Sequence, residues 1–331
     1  MNSGSILQGK RIQFQSTLSS ALVCAFAIEL DLSDQAQQGL AIRADTSLEG
    51  LLPESDLMGL SGDHPEFVFA VCADRFYRAL TPFAVAETGG RGPGLGGQLL
   101  YAGELDEEGR ALLVAASVLG AATLTATADP TTQKQAVRDG VIDFLVTTLD
   151  EALRILKNQV RKREGVAVCL AARPAAVERE MEERGVQPDL VAYGLLGLAR
   201  FPASFEASAR HVEQVVAGPE RSVVTWTAES GTAAWLSKLD AVALECLAAE
   251  KWPAEWAARR WLRLAPRYFW RLARDRRIVS CHTGAARTIF SRLKGAVESG
   301  EIGTAVWISM SGESGTQSVH AIPPAAAPTP H

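Results

Sequence analysis

A chain of 331 residues, 47% hydrophobic and 21% charged, has the make-up of a soluble protein able to bury two or three cores. Its net charge of −5 gives no global attraction for nucleic acid. Five cysteines (Cys24, Cys72, Cys169, Cys246 and Cys281) form no CxxC pair and accompany only five histidines. That spacing fits neither a zinc module nor a disulfide framework and points to reduced thiols in the cytoplasm. No apolar run approaches the ~20 residues that cross a bilayer, so no membrane partner is expected.

Near the N-terminus, Lys10 and Arg11 precede "LSSALVCAFA", which has the outline of a secretory signal but is short. A first core strand in "ALVCAFAIEL" is the plainer reading, and "EFVFAVCA" (66–73) reads as a second. The stretch "ETGGRGPGLGGQ" (87–98) holds six glycines and a proline in twelve residues, and a flexible boundary is placed there. From 98 to 192 the pattern is regular. Strand "QLLYA", a helix over 107–119, strand "ATLTATA", strand "GVIDFLV", helix "TLDEALRILKNQVRKR", strand "GVAVCLAA", helix "PAAVEREMEERG" and strand "PDLVAY" follow one another. Alternation of this kind predicts a parallel sheet covered by helices on both faces. Thr148 stands three residues before Glu151 at capping-box spacing, Pro174 suits a first helical turn and Gly185 a helix end. Later come strand "SVVTW", helices near 230–249, 252–274 and 284–299, and a final strand "TAVWISM". The proline- and alanine-rich tail is expected to be disordered.

The stretch from Leu99 to Asp129 runs strand, glycine, helix, strand, the order that builds a dinucleotide site. In such a site the turn is glycine-rich so that backbone can approach the pyrophosphate, and the helix start offers bare amides. Here Gly103 is followed by Glu104-Leu105-Asp106-Glu107-Glu108. Carboxylates favour a helix start by ~0.3–1 kcal/mol. Against a diphosphate, two like charges about 4 Å apart repel by ~4 kcal/mol at a partly shielded surface. At the end of the next strand, where an acid usually accepts the ribose hydroxyls, stand Thr127, Ala128, Asp129 and Pro130. Asp129 could fill that role or cap the turn led by Pro130.

"TTLDEALRILKNQVRKREGVAVCLAARPAAVEREMEERGVQPDLV" (147–191) resembles the urocanases, the urocanate hydratases of histidine breakdown. So do "LGAATLTATAD" (119–129), "RSVVTWTAESG" (221–231) and "RTIFSRLKGAVESGEIGTAVWISMSGESGTQSV" (287–319). The resemblance covers about two-thirds of the chain, in the right order, with none before 86. It implies an α/β fold, a Rossmann-like parallel-sheet core flanked by an α/β domain formed from the N- and C-terminal parts. The expected divisions are 1–86 and 201–317 for the flanking domain, 87–200 for the core, and 318–331 for the disordered tail. It also implies a homodimer and tightly bound NAD, which in that family acts as an electrophile during addition of water to urocanate.

The motifs that carry this chemistry are where the sequence departs. The family's GLGGMGG stands here as "GELDEEGR", keeping Gly103 and Gly109. Its acid after the next strand falls on Thr127, and its cofactor-touching Asn-Ala pair falls near Arg173-Pro174. Its TDQTSAHDP becomes the apolar "AYGLLGLARFP", and the segment of its reactive cysteine becomes "QVVAGPER" (214–221), without cysteine. The final Arg-Asp-His-Leu-Asp run becomes "SGESG". The residues that remain to meet a cofactor are Gly103, Thr127, Asp129 and Arg173. Arg173 is also the new cation placed to meet a small anionic ligand.

Three readings follow. The first is a catalytically degenerate urocanase relative, its NAD lost, acting through binding or regulation. The second is an active NAD-dependent urocanate hydratase with displaced groups, for which Cys246 and Cys281 are the candidate thiols. His282 adjoins Cys281, but neighbours in a strand point to opposite faces. The third reading rests on "KWPAEWAARRWLRLAPRYFWRLARDRR" (251–277), which holds Lys251 and eight arginines among aromatics. It could bind single-stranded nucleic acid or an acidic partner. A helix pair with tryptophans inward and arginines out to solvent, kinked at Pro266, is the plainer account, and nucleic acid is the less favoured partner. No metal is expected.

Overall fold

In this computed structural model, residues 65–86, 94–192, 202, 204–205, 209–212, 221–229, 233–251, 253–269, 272–274, 276–312 and 315–324 are described. The strand expected at 21–30 and most of the tail lie outside them. So do residues 214–220 and 193–201.

The first described element is a helix, α1 (Pro65–Ala86), where the sequence suggested a strand at 66–73. The short apolar run belongs to a longer three-and-four spacing: Ala70, Ala73, Tyr77, Leu80 and Ala84 are all buried on it. Eight residues were too short a window to separate the two periods. Beyond α1, the loop expected to be a flexible join is anchored at its end. Gly94 N donates to Ala84 O, Leu95 N donates to Leu119 O, and Leu95 is fully buried.

A six-stranded parallel sheet follows, built from β1 (Leu99–Glu104), β2 (Ala122–Ala126), β3 (Phe144–Val146), β4 (Val166–Leu170), β5 (Leu190–Ala192) and β6 (Arg210–Val212). Its order is β3-β4-β2-β1-β5-β6. Connections run through α2 (Glu107–Leu119), α3 (Pro130–Arg138), α4 (Leu149–Lys162) and α5 (Pro174–Glu183). β2 and β4 are buried along their whole length, as expected for parallel strands covered on both faces. α2 belongs to one apolar core, and α4 and α5 supply Leu153, Leu156, Val177 and Met181 to another. The sequence reading missed α3. Only Gln133 and Ala136 of it are buried, too few to give a helical pattern. That crossover also shortens the strand expected at 140–146 to three residues.

A second sheet is antiparallel, with order β10-β9-β7-β8. It comprises β7 (Arg221–Ala228), β8 (Arg276–His282), β9 (Val306–Gly312) and β10 (Gly315–Ala321). The helices α6 (Ala233–Leu247), α7 (Ala254–Leu264) and α8 (Thr283–Glu298) accompany it. β9 is therefore not the last strand, and ordered backbone continues past 318, where a disordered tail was expected. Trp226 points to α6, its Nε1 donating to Asp240 at 3.3 Å.

The two sheets share a core through α1, α2 and α7. Trp261 of α7 is 2% exposed and donates Nε1–H to Ile278 O at 2.9 Å, closing the edge of β8. Tyr77 of α1 lies 4.9 Å from the Trp261 ring and donates its hydroxyl to Ala257 O at 2.8 Å. Arg260 reaches back to Val118 O near the end of α2, where a cation meets the negative end of the helix dipole. The arginines of 251–277 thus do not all reach solvent. Arg276 is 8% exposed and donates to Thr227 Oγ1, while Arg277 pairs with Asp240 at 2.9 Å. As expected, α7 ends at Leu264, just before Pro266.

Candidate functional site

The strands that follow β1 in the chain, β2, β3 and β4, all lie on one side of it, and β5 then lies on the other. In open parallel sheets such a switch point leaves a crevice beyond the strand C-termini, where ligands settle. The turn from β1 to α2 forms one wall. The residues after β5 lie outside those described.

Gly103 sits in β1 at φ +72°, beside a register shift between Tyr101 and Gly103. Only glycine adopts that backbone without strain. Its carbonyl accepts from Thr125 Oγ1 at 2.9 Å. Leu105 turns inward, 1% exposed, and its amide donates to Ala126 O. Asp106 then caps α2: its Oδ1 accepts from Gly109 N at 2.8 Å and its carbonyl from Arg110 N at 2.9 Å. A Cβ on Gly109 would stand 2.1 Å from Glu104 O. The two retained glycines therefore each answer to the backbone, one to a left-handed turn and one to close packing of helix on strand. Glu104 and Glu107 form no ion pair among the described residues.

The next turns show the same economy. Thr127 is buried, its amide on Leu170 O and its carbonyl accepting from Gln133 Nε2 at 2.8 Å. Asp129 caps α3, accepting from Thr131 N at 3.0 Å, Thr132 N at 3.1 Å and Thr132 Oγ1 at 2.6 Å. The Thr132 hydroxyl and then the two amides hold its carboxyl below the usual range. Arg173 stands at the start of α5, exposed and making no side-chain capping bond, with Pro174 in the first turn. Gly103, Thr127, Asp129 and Arg173 thus all lie where β1, β2 and β4 end, at one edge of the sheet.

The thiols do not join them. Cys246 of α6 and Cys281 of β8 are 7% and 0% exposed, and burial pushes both thiols up, away from the reactive thiolate. His282 is exposed, its Nδ1 accepting from Gly284 N at 3.1 Å as the cap of α8. Cys281 faces inward and His282 outward, as strand alternation requires. The residue the sequence reading did not single out is Asp106 as a cap; its signal was the aspartate three positions before Gly109.

No group of histidine, cysteine, aspartate and glutamate suited to a metal occurs among the described residues. No described helix is long and apolar enough to cross a membrane.

Residues 80–193 match the urocanase Rossmann-like domain. Over 100 residues the chain is 28% identical to an S-methyl thiourocanate hydratase of Variovorax sp. (strain JCM 16519 / RA8). That match covers 30% of this chain and 18% of the relative. The matched part holds β1 to β5 and the turns just described, and the likeness to the urocanases rests on this Rossmann-like domain.

Proposed function

We propose that this chain keeps the urocanase scaffold as a binding or regulatory module and no longer supports NAD-dependent hydration of urocanate. The observation that carries the reading is the β1–α2 turn. Gly103 and Gly109, which the fold needs, persist; the positions between them, which a pyrophosphate needs open, hold Glu104 to Glu108. The Gly109 amide that would meet phosphate already meets the Asp106 carboxylate. A second anion there faces like charge and a filled donor. These residues do not fit a dinucleotide linker. Asp129, the remaining acid for a ribose, has its oxygens on Thr131 and Thr132. Neither candidate thiol is near the thiolate state.

On this reading the protein is a dimer-forming cytoplasmic partner, its effect exerted through the surfaces of the two sheets. An assay of urocanate hydration by the purified chain with added NAD tests it. The expected result is no turnover above the uncatalysed rate; NAD-dependent turnover overturns the reading.

A further inference from the structure

Among the described residues four large apolar side chains stand exposed, and three of them belong to α3 and the edge strand β3. Phe144 and Leu145 of β3 are 45% and 42% exposed, and Val137 of α3 is 49% exposed. β3 ends the parallel sheet. Its inner side pairs with β4, Phe144 beside Val168 and Leu145 beside Cys169, and no described strand lies on its outer side. Val168 belongs to the core under α4, and Cys169 to the core that Ala136 of α3 joins. Phe144 is therefore on the α4 face and Leu145 on the α3 face. An open edge is ordinarily guarded by a charge, a proline or a bulge. Here the neighbouring charge is Asp143, and its Oδ2 is turned to the β4 side, where it accepts from Ala167 N at 2.8 Å.

The helix over this edge shows what fits it. α4 packs on β4, β2 and β3. Asp150 in its first turn pairs with Arg184 at the end of α5, so that flank faces α5 and the middle of the sheet. Glu151, Ile155, Asn158 and Lys162 follow one another at spacings of four, three and four residues. They form a stripe turned away from Asp150, on the side of the open edge. Ile155 is half-buried. Glu151 makes no ion pair among the described residues, and Lys162 has an exposed contact with Glu164 at 4.0 Å. The stripe is acidic at its start, apolar in its middle and basic at its end. Laid antiparallel on itself, it sets acid against base.

We infer that β3 and this stripe of α4 form the docking surface for a second copy of this chain, β3 against β3, antiparallel across a two-fold axis normal to the sheet. Such an axis keeps the faces matched: Leu145 and Val137 meet their equivalents on one face, and Phe144 does so on the other. It also sets the two copies of α4 antiparallel, each Glu151 toward the other copy's Lys162. The charge pattern is complementary to itself, which favours a second copy over an unrelated strand. The inference rests on the dimer of the reading above and gives it an interface; urocanate turnover, which tests that reading, does not involve this edge.

Sedimentation equilibrium of the full chain tests the inference. The wild type is expected to be a dimer at micromolar concentration. Leu145→Lys, at an exposed side chain, is expected to give a monomer with an unchanged far-UV circular dichroism spectrum. Glu151→Lys and Lys162→Glu are each expected to weaken the dimer about tenfold, and the two together to restore it. A monomeric wild type overturns the inference. So does a dimer that survives Leu145→Lys, which would leave dimerisation standing and move its interface elsewhere. A double exchange no tighter than the single ones overturns it as well, and that arm needs no change in β3.

Discussion

The seam between the two sheets and the loop edge of the parallel sheet follow different rules. At the seam, Tyr77, Trp261 and Arg260 tie α1, α7, α2 and the edge of β8 together through apolar contact and hydrogen bonds to backbone. Any substitution there is felt by both sheets. At the loop edge, Asp106 and Asp129 each close a helix by themselves, and Arg173 closes none. That edge is locally self-sufficient and needs nothing from outside to be stable. Scaffold residues are constrained by what they touch across the seam; the residues of the edge form ordinary, self-capped helix starts.

The largest effect should come from breaking the seam. Trp261→Ala is expected to cost about 3–5 kcal/mol by denaturant unfolding, as a large buried ring and the cap on the β8 edge are lost together. A loss under about 1 kcal/mol would remove the distinction between seam and edge. Gly109→Ala probes where the two meet. The added Cβ, 2.1 Å from Glu104 O, is expected to cost about 3 kcal/mol or more, against the usual helix preference for alanine. Asp106→Ala, confined to the edge, should cost about 1 kcal/mol, the usual value for a lost helix cap.

Two smaller effects sharpen the contrast. Arg163 ends α4 at φ +61°, the one described non-glycine residue in left-handed backbone, so Arg163→Gly should gain up to about 1 kcal/mol. Asp129 has a folded pKa below its unfolded one, so its contribution is present above the unfolded value and lost as pH falls through the folded value. Asp129→Asn should therefore flatten the acid side of the stability profile, below about pH 4, and leave neutral pH dependence unchanged. An unchanged acid limb would contradict its capping role.

Much of the parallel sheet was readable because its helices announce themselves. Thr148 accepts from Glu151 N as its spacing implied, and Gly185 adopts φ +64° at the end of α5. The polar α3 was unreadable because it buries little, and α1 because its run was cut too short. In the aromatic segment, Trp261 was correctly placed inward, but the reach of Arg260 to Val118 O depends on a neighbour 142 positions away, which no local pattern carries. At the candidate site the run of carboxylates after Gly103 could be read directly. Why positions 103 and 109 hold glycine could not, since that depends on a dihedral angle and on the distance from helix to strand.

The central claim is that the Asp106-capped turn has displaced the dinucleotide. The direct measurement is mass spectrometry of nucleotide released on denaturing the purified full chain. The account predicts no NAD above background. NAD recovered in one-to-one ratio with the chain would contradict it.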